Sequence, residues 1–141
     1  MRDGPTSVFP DFELEGADGR RYRLYDDGGK RTVLWFTNLC EGCQERAPML
    51  NDLAENAGSL LRVLAVNILR DAGAAQRLAP KLKFPILLDP EDIAQRRLGI
   101  LHQPGVCPRQ SLYVVAPGGA ILFKHRLAAM RPAEVQRLAE L

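Results

Sequence analysis

Apolar and polar positions divide the chain into short strand and helix patterns that follow one another. Near the N-terminus, the runs Val8–Glu15 and Arg21–Tyr25 have alternating apolar positions and flank the turn sequence Gly16-Ala17-Asp18-Gly19. Two alternating runs around an Asp-Gly turn predict a hairpin. We therefore expect the chain to open with a small antiparallel β-ribbon.

The next two patterns predict a buried strand followed by a long helix. Thr32–Thr37 is rich in β-branched and aromatic residues and is apolar on both faces, which is typical of a central strand covered by helices. Glu41–Asn56 has apolar residues at helical spacing, and Gly58 ends the pattern. The residues predicted to share its apolar face are Cys43, Ala47, Leu50 and Ala54.

The rest of the chain continues this alternation and ends in a hairpin and a helix. We predict a strand at Leu61–Ile68, a helix at Ala72–Leu82, a strand at Phe84–Leu88, a short helix at Glu91–Leu98, a hairpin of Ser111–Ala116 and Ala120–Arg126, and a helix from Pro132 to Leu141. This order predicts an α/β fold with a mixed central sheet and helices on both faces. With 141 residues and no repeat or linker, residues 1–141 are expected to form a single domain.

Charge and hydropathy exclude some classes of partner. The 19 Lys and Arg residues exceed the 17 Asp and Glu residues by only two and are scattered, so we do not expect nucleic acid as a partner. No apolar run approaches the length of a membrane span, and the start MRDGPTSVFP lacks the apolar core of a signal peptide. We therefore expect a cytoplasmic protein that does not contact a membrane.

The candidate chemistry lies in Cys40 and Cys43, at the junction between the buried strand and the following helix. Residues three apart are neighbours on a helix, so the two sulfurs can meet. Three cysteines are too few for a disulfide framework, and a close pair in a reducing compartment indicates redox or metal chemistry. Because a helix N-terminus stabilises a thiolate, we expect Cys40 to be the more exposed, attacking thiol and Cys43 the resolving thiol.

Two other interpretations of the pair have to be weighed. Buried, inert cysteines are common, because a cysteine packs like a small hydrophobe, but packing does not require this spacing at this junction. A structural zinc site needs four ligands, and the remaining candidates are Cys107, His102 and His125. We expect no metal and no other cofactor, and a metal-binding module stays as a third alternative.

A family resemblance covers the chain from Phe9 to the C-terminus. The segment FPDFELEGADGRRYRLYDDGGKRTVLWFTNLCEGCQERAPML resembles the start of the thioredoxin-fold peroxiredoxin and alkyl hydroperoxide reductase (AhpC/TSA) superfamily. In that family a Pro-Asp-Phe ribbon, a glycine turn and a buried strand precede the active cysteine. Pro48 is similar to the proline that kinks the first active-site helix, and FPILLDP and PRQSLYVVAPGGAILFKHR resemble later strands of the family. The resemblance implies a thioredoxin-like fold.

The resemblance implies, as the main reading, a peroxiredoxin-like antioxidant enzyme. The Cys40 thiolate would attack a peroxide, and Cys43 would condense with the resulting sulfenic acid, after which an external thiol reductant would restore the pair. Thr37 matches the family's Thr-x-x-Cys and is expected to contact the thiolate or the peroxide. The family's proline four residues earlier is replaced by Val33, and Arg109 is the nearest match to the family's arginine.

The alternative is a thiol–disulfide oxidoreductase similar to the thioredoxin-like proteins of cytochrome maturation. Its substrate would be a protein disulfide, which Cys40 would attack and Cys43 would resolve. Pro108 stands where thioredoxin-fold proteins keep a cis-proline facing the active cysteines, and Pro104 competes for that position. If Pro108 has that role, Cys107 lies within reach of the pair, where it would resolve or relay a disulfide or complete a three-sulfur metal site. Otherwise Cys107 is a loop cysteine with no role.

Overall fold

The computed structural model describes residues 8–69, 71–99 and 111–141. Its strands and helices follow the predicted order, and none of the helices in these ranges is long and apolar enough to cross a membrane. In chain order the elements are β1 (Glu13–Glu15), β2 (Arg21–Arg23), β3 (Arg31–Thr37), α1 (Glu41–Ala57), β4 (Leu61–Asn67), α2 (Gly73–Leu78), β5 (Ile86–Leu88), α3 (Ile93–Arg96), β6 (Leu112–Val115), β7 (Ile121–His125) and α4 (Pro132–Gln136).

The central sheet of the described residues has five strands in the order β5-β4-β3-β6-β7. β3, β4 and β5 run parallel to one another, whereas β6 pairs antiparallel with β3, and β7 with β6. The predicted mixed sheet is therefore confirmed. Because β3 lies in the middle of the sheet, the segment that follows its carboxyl end is held by a strand with partners on both sides.

The two faces of β3 enter two separate hydrophobic cores. Val33 and Trp35 pack into one core together with Leu50 of α1, while Leu34 and Phe36 pack into the other, and none of these five side chains is more than 1% exposed. Burial of one such side chain contributes about 1.5–3 kcal/mol. The apolar character of both faces of β3 therefore requires cover on both sides. The second core is covered from outside the sheet by Phe9, Phe12, Leu14, Leu24 and Ala94.

The N-terminal ribbon is shorter than predicted. β1 and β2 pair only over 13–15 and 21–23, whereas the sequence predicted strands at 8–15 and 21–25. The segment before β1 pairs elsewhere, because the Phe9 N–H donates to the Gly119 carbonyl at 2.7 Å. The turn of the ribbon also contacts the sheet edge, where the Ala17 N–H donates to the Ile86 carbonyl of β5 at 2.8 Å. The ribbon therefore covers the edge of the sheet at β5.

Several predicted helices are shorter than their sequence patterns. The pattern at 72–82 forms α2 and then a 3₁₀ turn, Ala79–Lys81, that includes Pro80, which cannot donate an α-helical hydrogen bond. The pattern at 91–98 forms only α3, whose start is held by the buried Asp89 carboxylate accepting the N–H groups of Ile93 and Ala94. The last pattern divides into α4 and a 3₁₀ turn at 137–140.

Candidate active site

Cys40 is the residue that caps the N-terminus of α1. Its backbone is extended, with φ −66° and ψ 170°, and its carbonyl accepts the N–H of Gln44 at 2.9 Å, which is the first bond of the helix. The Cys40 side chain is exposed and the Cys43 side chain is partly buried one turn further along. The expected difference in exposure is confirmed, and both cysteines lie at the positive end of the helix dipole.

The turn between β3 and α1 is fixed by side-chain hydrogen bonds. The Thr37 hydroxyl accepts the Leu39 N–H at 2.9 Å, the Asn38 side-chain oxygen accepts the Cys40 N–H at 3.1 Å, and the Gln44 amide donates to the Leu39 carbonyl at 2.7 Å. Leu39 has a positive φ of 53°, a conformation that costs a non-glycine residue about 1–2 kcal/mol. These bonds, and the burial of the Leu39 side chain, hold Cys40 in place.

Asn38 also contacts the second cysteine. Its side-chain oxygen Oδ1 lies 3.7 Å from Cys43 Sγ and accepts a hydrogen bond from the thiol. Asn38 is only 6% exposed, so this oxygen is a fixed neighbour of the sulfur. The contact holds the Cys43 thiol beside the turn that carries Cys40. Asn38 is not among the residues predicted from the sequence, although asparagine is typical of turns in which its side chain accepts the N–H of the residue two positions on.

A cavity of about 230 Å³ lies beside the cysteines and is lined by Cys40, Cys43, Arg46, Ser111 and Arg126, among others. Ser111 joins its two walls. The Ser111 carbonyl accepts the N–H of Phe36 in β3 at 2.7 Å, and the Ser111 hydroxyl accepts the N–H of Leu127 at 3.0 Å. These two bonds hold β3 and the segment after β7 together at the wall of the cavity.

A larger cavity of about 380 Å³ lies beside the ribbon turn, where Ala17 and Asp18 line it, and it contains no cysteine among the described residues that line it. Tyr22 is on its wall, and burial together with the hydrogen bond to the Asp18 carboxylate raises the pKa of Tyr22 to about 12. A phenol with that pKa stays protonated at neutral pH. We assign the redox chemistry to the smaller cavity, because the two thiols are there.

The other predicted site residues have different outcomes. Thr37 is fully buried with its hydroxyl bonded to the Leu39 N–H, and its contact with a thiolate or peroxide stays a prediction. His125 is exposed at the end of β7, with its ring 6.0 Å from the ring of Phe123. Five of the residues discussed from the sequence lie outside the described ranges, namely Cys107, Pro108, Arg109, Pro104 and His102. Within 8–69, 71–99 and 111–141, no group of three His, Cys, Asp or Glu side chains is arranged to hold a metal ion.

Comparison with known proteins identifies the family. Residues 5–124 match the model of the AhpC/TSA family. The chain belongs to the AhpC/TSA family. The predicted membership is therefore confirmed.

Two relatives of known name are about equally similar to this AhpC/TSA chain. The thiol-disulfide oxidoreductase ResA of Geobacillus thermodenitrificans is 30% identical over an alignment of 121 residues, which covers 82% of this chain and 65% of that protein. The thioredoxin-like protein YneN of Bacillus subtilis is 30% identical over 138 residues, covering 94% of this chain and 76% of that protein. The chain thus spans about two thirds of the length of the ResA relative.

Solved structures confirm the fold. A secreted disulfide oxidoreductase of Mycobacterium tuberculosis homologous to E. coli DsbE has a TM-score of 0.72 and 26% identity, with 92% of this chain and 96% of that chain covered. The peroxidoxin BcpB of the same organism has a TM-score of 0.74 at 18% identity, with 94% and 89% covered, and so shows the fold alone. The AhpC/TSA chain has a thioredoxin-like fold. The named relatives favour the thiol–disulfide alternative over the peroxiredoxin-like reading.

Proposed function

We propose that the protein is a thiol–disulfide oxidoreductase in which Cys40 attacks the disulfide of a substrate and Cys43 resolves the mixed disulfide. The observation that carries this proposal is the exposed Cys40 at the N-cap of α1, one helical turn from the partly buried Cys43. Disulfide exchange by a cysteine pair requires one thiol that a bulky partner can reach and a second thiol that attacks the mixed disulfide. The similarity to a ResA protein supports the same assignment.

The exchange takes place in two steps. The Cys40 thiolate attacks one sulfur of the substrate disulfide, the S–S bond breaks, and the other substrate sulfur leaves as a thiolate that takes up a proton. Cys43 then loses its proton and attacks Cys40 Sγ, which releases the second substrate sulfur. The substrate gains two electrons and two protons, and the Cys40–Cys43 pair is oxidised to a disulfide. An external thiol reductant restores the dithiol.

Peroxide reduction is the second candidate, favoured by the family match itself. Two observations speak for disulfides instead. Val33 occupies the position of the proline that the peroxiredoxin-like reading requires, and its side chain is fully buried in the core. Cys40 is exposed, which suits a large disulfide substrate and is not needed for a molecule as small as a peroxide.

The experiment is stopped-flow oxidation of the reduced protein by a peptide disulfide and by hydrogen peroxide in parallel. Trp35 is the single tryptophan of the chain and lies in the core cluster against which Cys43 packs, so its fluorescence reports the state of the pair. We expect the peptide disulfide to react in a Cys40-dependent step and peroxide to react no faster than with a simple thiol. Fast peroxide oxidation abolished by Cys40→Ser, with no reaction toward the peptide, would overturn the proposal.

A further inference from the structure

The cavity beside the cysteines is positively charged. Arg46 and Arg126 line it, and none of the described residues that line it has a carboxylate. Arg46 is half-buried, and its Nη1 donates to the Gly42 carbonyl at 2.8 Å. Arg126 is exposed between the end of β7 and the 3₁₀ turn Leu127–Ala129. In the part of the chain that the structure describes, neither guanidinium forms a salt bridge.

We propose that this cavity selects peptide disulfides in which a carboxylate residue adjoins the attacked cysteine, with Arg46 and Arg126 as the specificity-determining residues. The inference rests on the proposed function and names its substrate class. A guanidinium binds a carboxylate through two parallel hydrogen bonds, which gives direction as well as attraction. Because the guanidinium groups share one cavity with Cys40 and Cys43, a carboxylate bound there belongs to a residue next to the reacting sulfur.

The size of the cavity favours a peptide segment as the occupant. Sites for drug-sized ligands have volumes of about 300–1,000 Å³. The volume of about 230 Å³ admits one or two side chains of a bound segment, while the rest of the substrate stays outside. Two exposed carboxylates, Glu41 and Glu45, belong to the same helix as Arg46, but they are not among the described residues that line the cavity.

The charge effect acts on the first step of the exchange. A bound carboxylate holds the substrate while the Cys40 thiolate attacks, the S–S bond of the peptide breaks, and the departing sulfur takes up a proton. The second step, in which Cys43 attacks Cys40 Sγ and releases the peptide thiol, forms its bond within the protein. We therefore expect Arg126 to change the second-order rate constant for the peptide and to leave the rate of resolution unchanged.

The test uses three peptide disulfide dimers that differ only in the residues beside the cysteine, which are Glu, Gln or Lys. Each rate with the reduced protein is divided by the rate at which dithiothreitol reduces the same peptide, which removes the intrinsic reactivity of the disulfide. The wild-type protein should prefer the Glu peptide to the Gln peptide by roughly five- to tenfold at low salt, since each exposed ion pair contributes up to about fivefold. The preference should fall toward unity at about 0.5 M salt.

The variants separate this inference from a general effect of charge. Arg126→Glu should abolish or invert the preference for the Glu peptide. Arg126→Gln adds no negative charge and should reduce this preference, so it replaces Arg126→Glu where the reversed charge disturbs folding. Lys124→Glu is the matched control, because Lys124 is exposed on β7, carries the same charge change and is not among the described residues that line the cavity. It should keep the preference.

Two results would count against the inference, and they are distinguishable. If the Gln peptide reacts as fast as the Glu peptide after normalisation, or if Lys124→Glu has the same effect as Arg126→Glu, the cavity does not select carboxylates and the proposed function stands. If none of the three peptides reacts in a Cys40-dependent manner, the proposed function fails and the inference fails with it.

Discussion

Asn38 is predicted to have two separable roles, which two substitutions distinguish. Its Oδ1 accepts the Cys40 N–H at 3.1 Å and lies 3.7 Å from Cys43 Sγ. Asn38→Ala removes both contacts, and a side-chain hydrogen bond of this kind contributes about 0.5–1.5 kcal/mol. We expect the free energy of unfolding to fall by about 1 kcal/mol and the melting temperature to fall by roughly 3–5 °C.

Asn38→Asp keeps the acceptor for the Cys40 N–H but places a negative charge near the second sulfur. At the observed 3.7 Å, a carboxylate opposes a Cys43 thiolate by about 1 kcal/mol in water and by about 4 kcal/mol at an effective dielectric constant of about 20. Cys43 is partly exposed, so the lower part of this range applies. A penalty of about 1–2 kcal/mol slows attack by Cys43 roughly 5- to 30-fold.

The assay is a single-turnover reaction with a peptide disulfide, quenched with acid and analysed by mass spectrometry. In Asn38→Asp the mixed disulfide on Cys40 should accumulate, while urea unfolding should show a stability closer to the wild-type value than that of Asn38→Ala. If Asn38→Asp resolves the mixed disulfide as fast as the wild-type protein, the contact between Asn38 and Cys43 does not affect the reaction and this reasoning is refuted.

Two further predictions concern stability. Arg62 is half-buried and donates hydrogen bonds to the carbonyls of Arg23, Leu24 and Asp26. Arg62→Ala should therefore lower the free energy of unfolding, measured by urea titration, by about 2–4 kcal/mol. The control Arg21→Ala, at an exposed position, should lower it by less than about 0.5 kcal/mol, and equal losses would contradict this prediction. Partial burial raises the pKa of Asp11, but hydrogen bonds from Arg23 and two backbone N–H groups outweigh it and lower the pKa below 3.8. Asp11 therefore stabilises the fold at neutral pH, and this contribution is lost as the pH falls below that value. Asp11→Asn should remove the share of Asp11 in the fall of the free energy of unfolding between about pH 7 and about pH 3. If the free energy of unfolding of this variant falls with pH as steeply as that of the wild-type protein, Asp11 does not have this effect.

The elements next to the cysteines were predictable because local pattern and tertiary structure agree there. The strand predicted at 32–37 is β3 at 31–37, and the helix predicted at 41–56 is α1 at 41–57. β3 is apolar on both faces and α1 has a continuous apolar face, so burial stabilises what the pattern indicates. The ribbon was predicted too long, because the Phe9 N–H bonds to the Gly119 carbonyl across more than a hundred residues, a pairing that no local pattern shows.

The candidate site was only partly predictable, because some of its contacts join residues that are far apart in the chain. The spacing of Cys40 and Cys43, and their position at the start of a helix, are local features and pointed to redox chemistry. Arg126 enters the cavity through the antiparallel pairing of β7 beside β6, which places it near residues some 80 positions earlier in the chain. Asn38 is local, but its contact with Cys43 depends on the conformation of Leu39, whose positive φ is unusual for a leucine.

The measurement that tests the central claim most directly is mass spectrometry of the mixed disulfide trapped by Cys43→Ser with a peptide disulfide. With the resolving thiol removed, the account predicts a stable adduct of about one peptide per chain, located on Cys40 by proteolysis, and none with Cys40→Ser. An adduct located on Cys107, or no adduct while hydrogen peroxide readily oxidises Cys40, would contradict the assignment of Cys40 as the thiol that attacks disulfides.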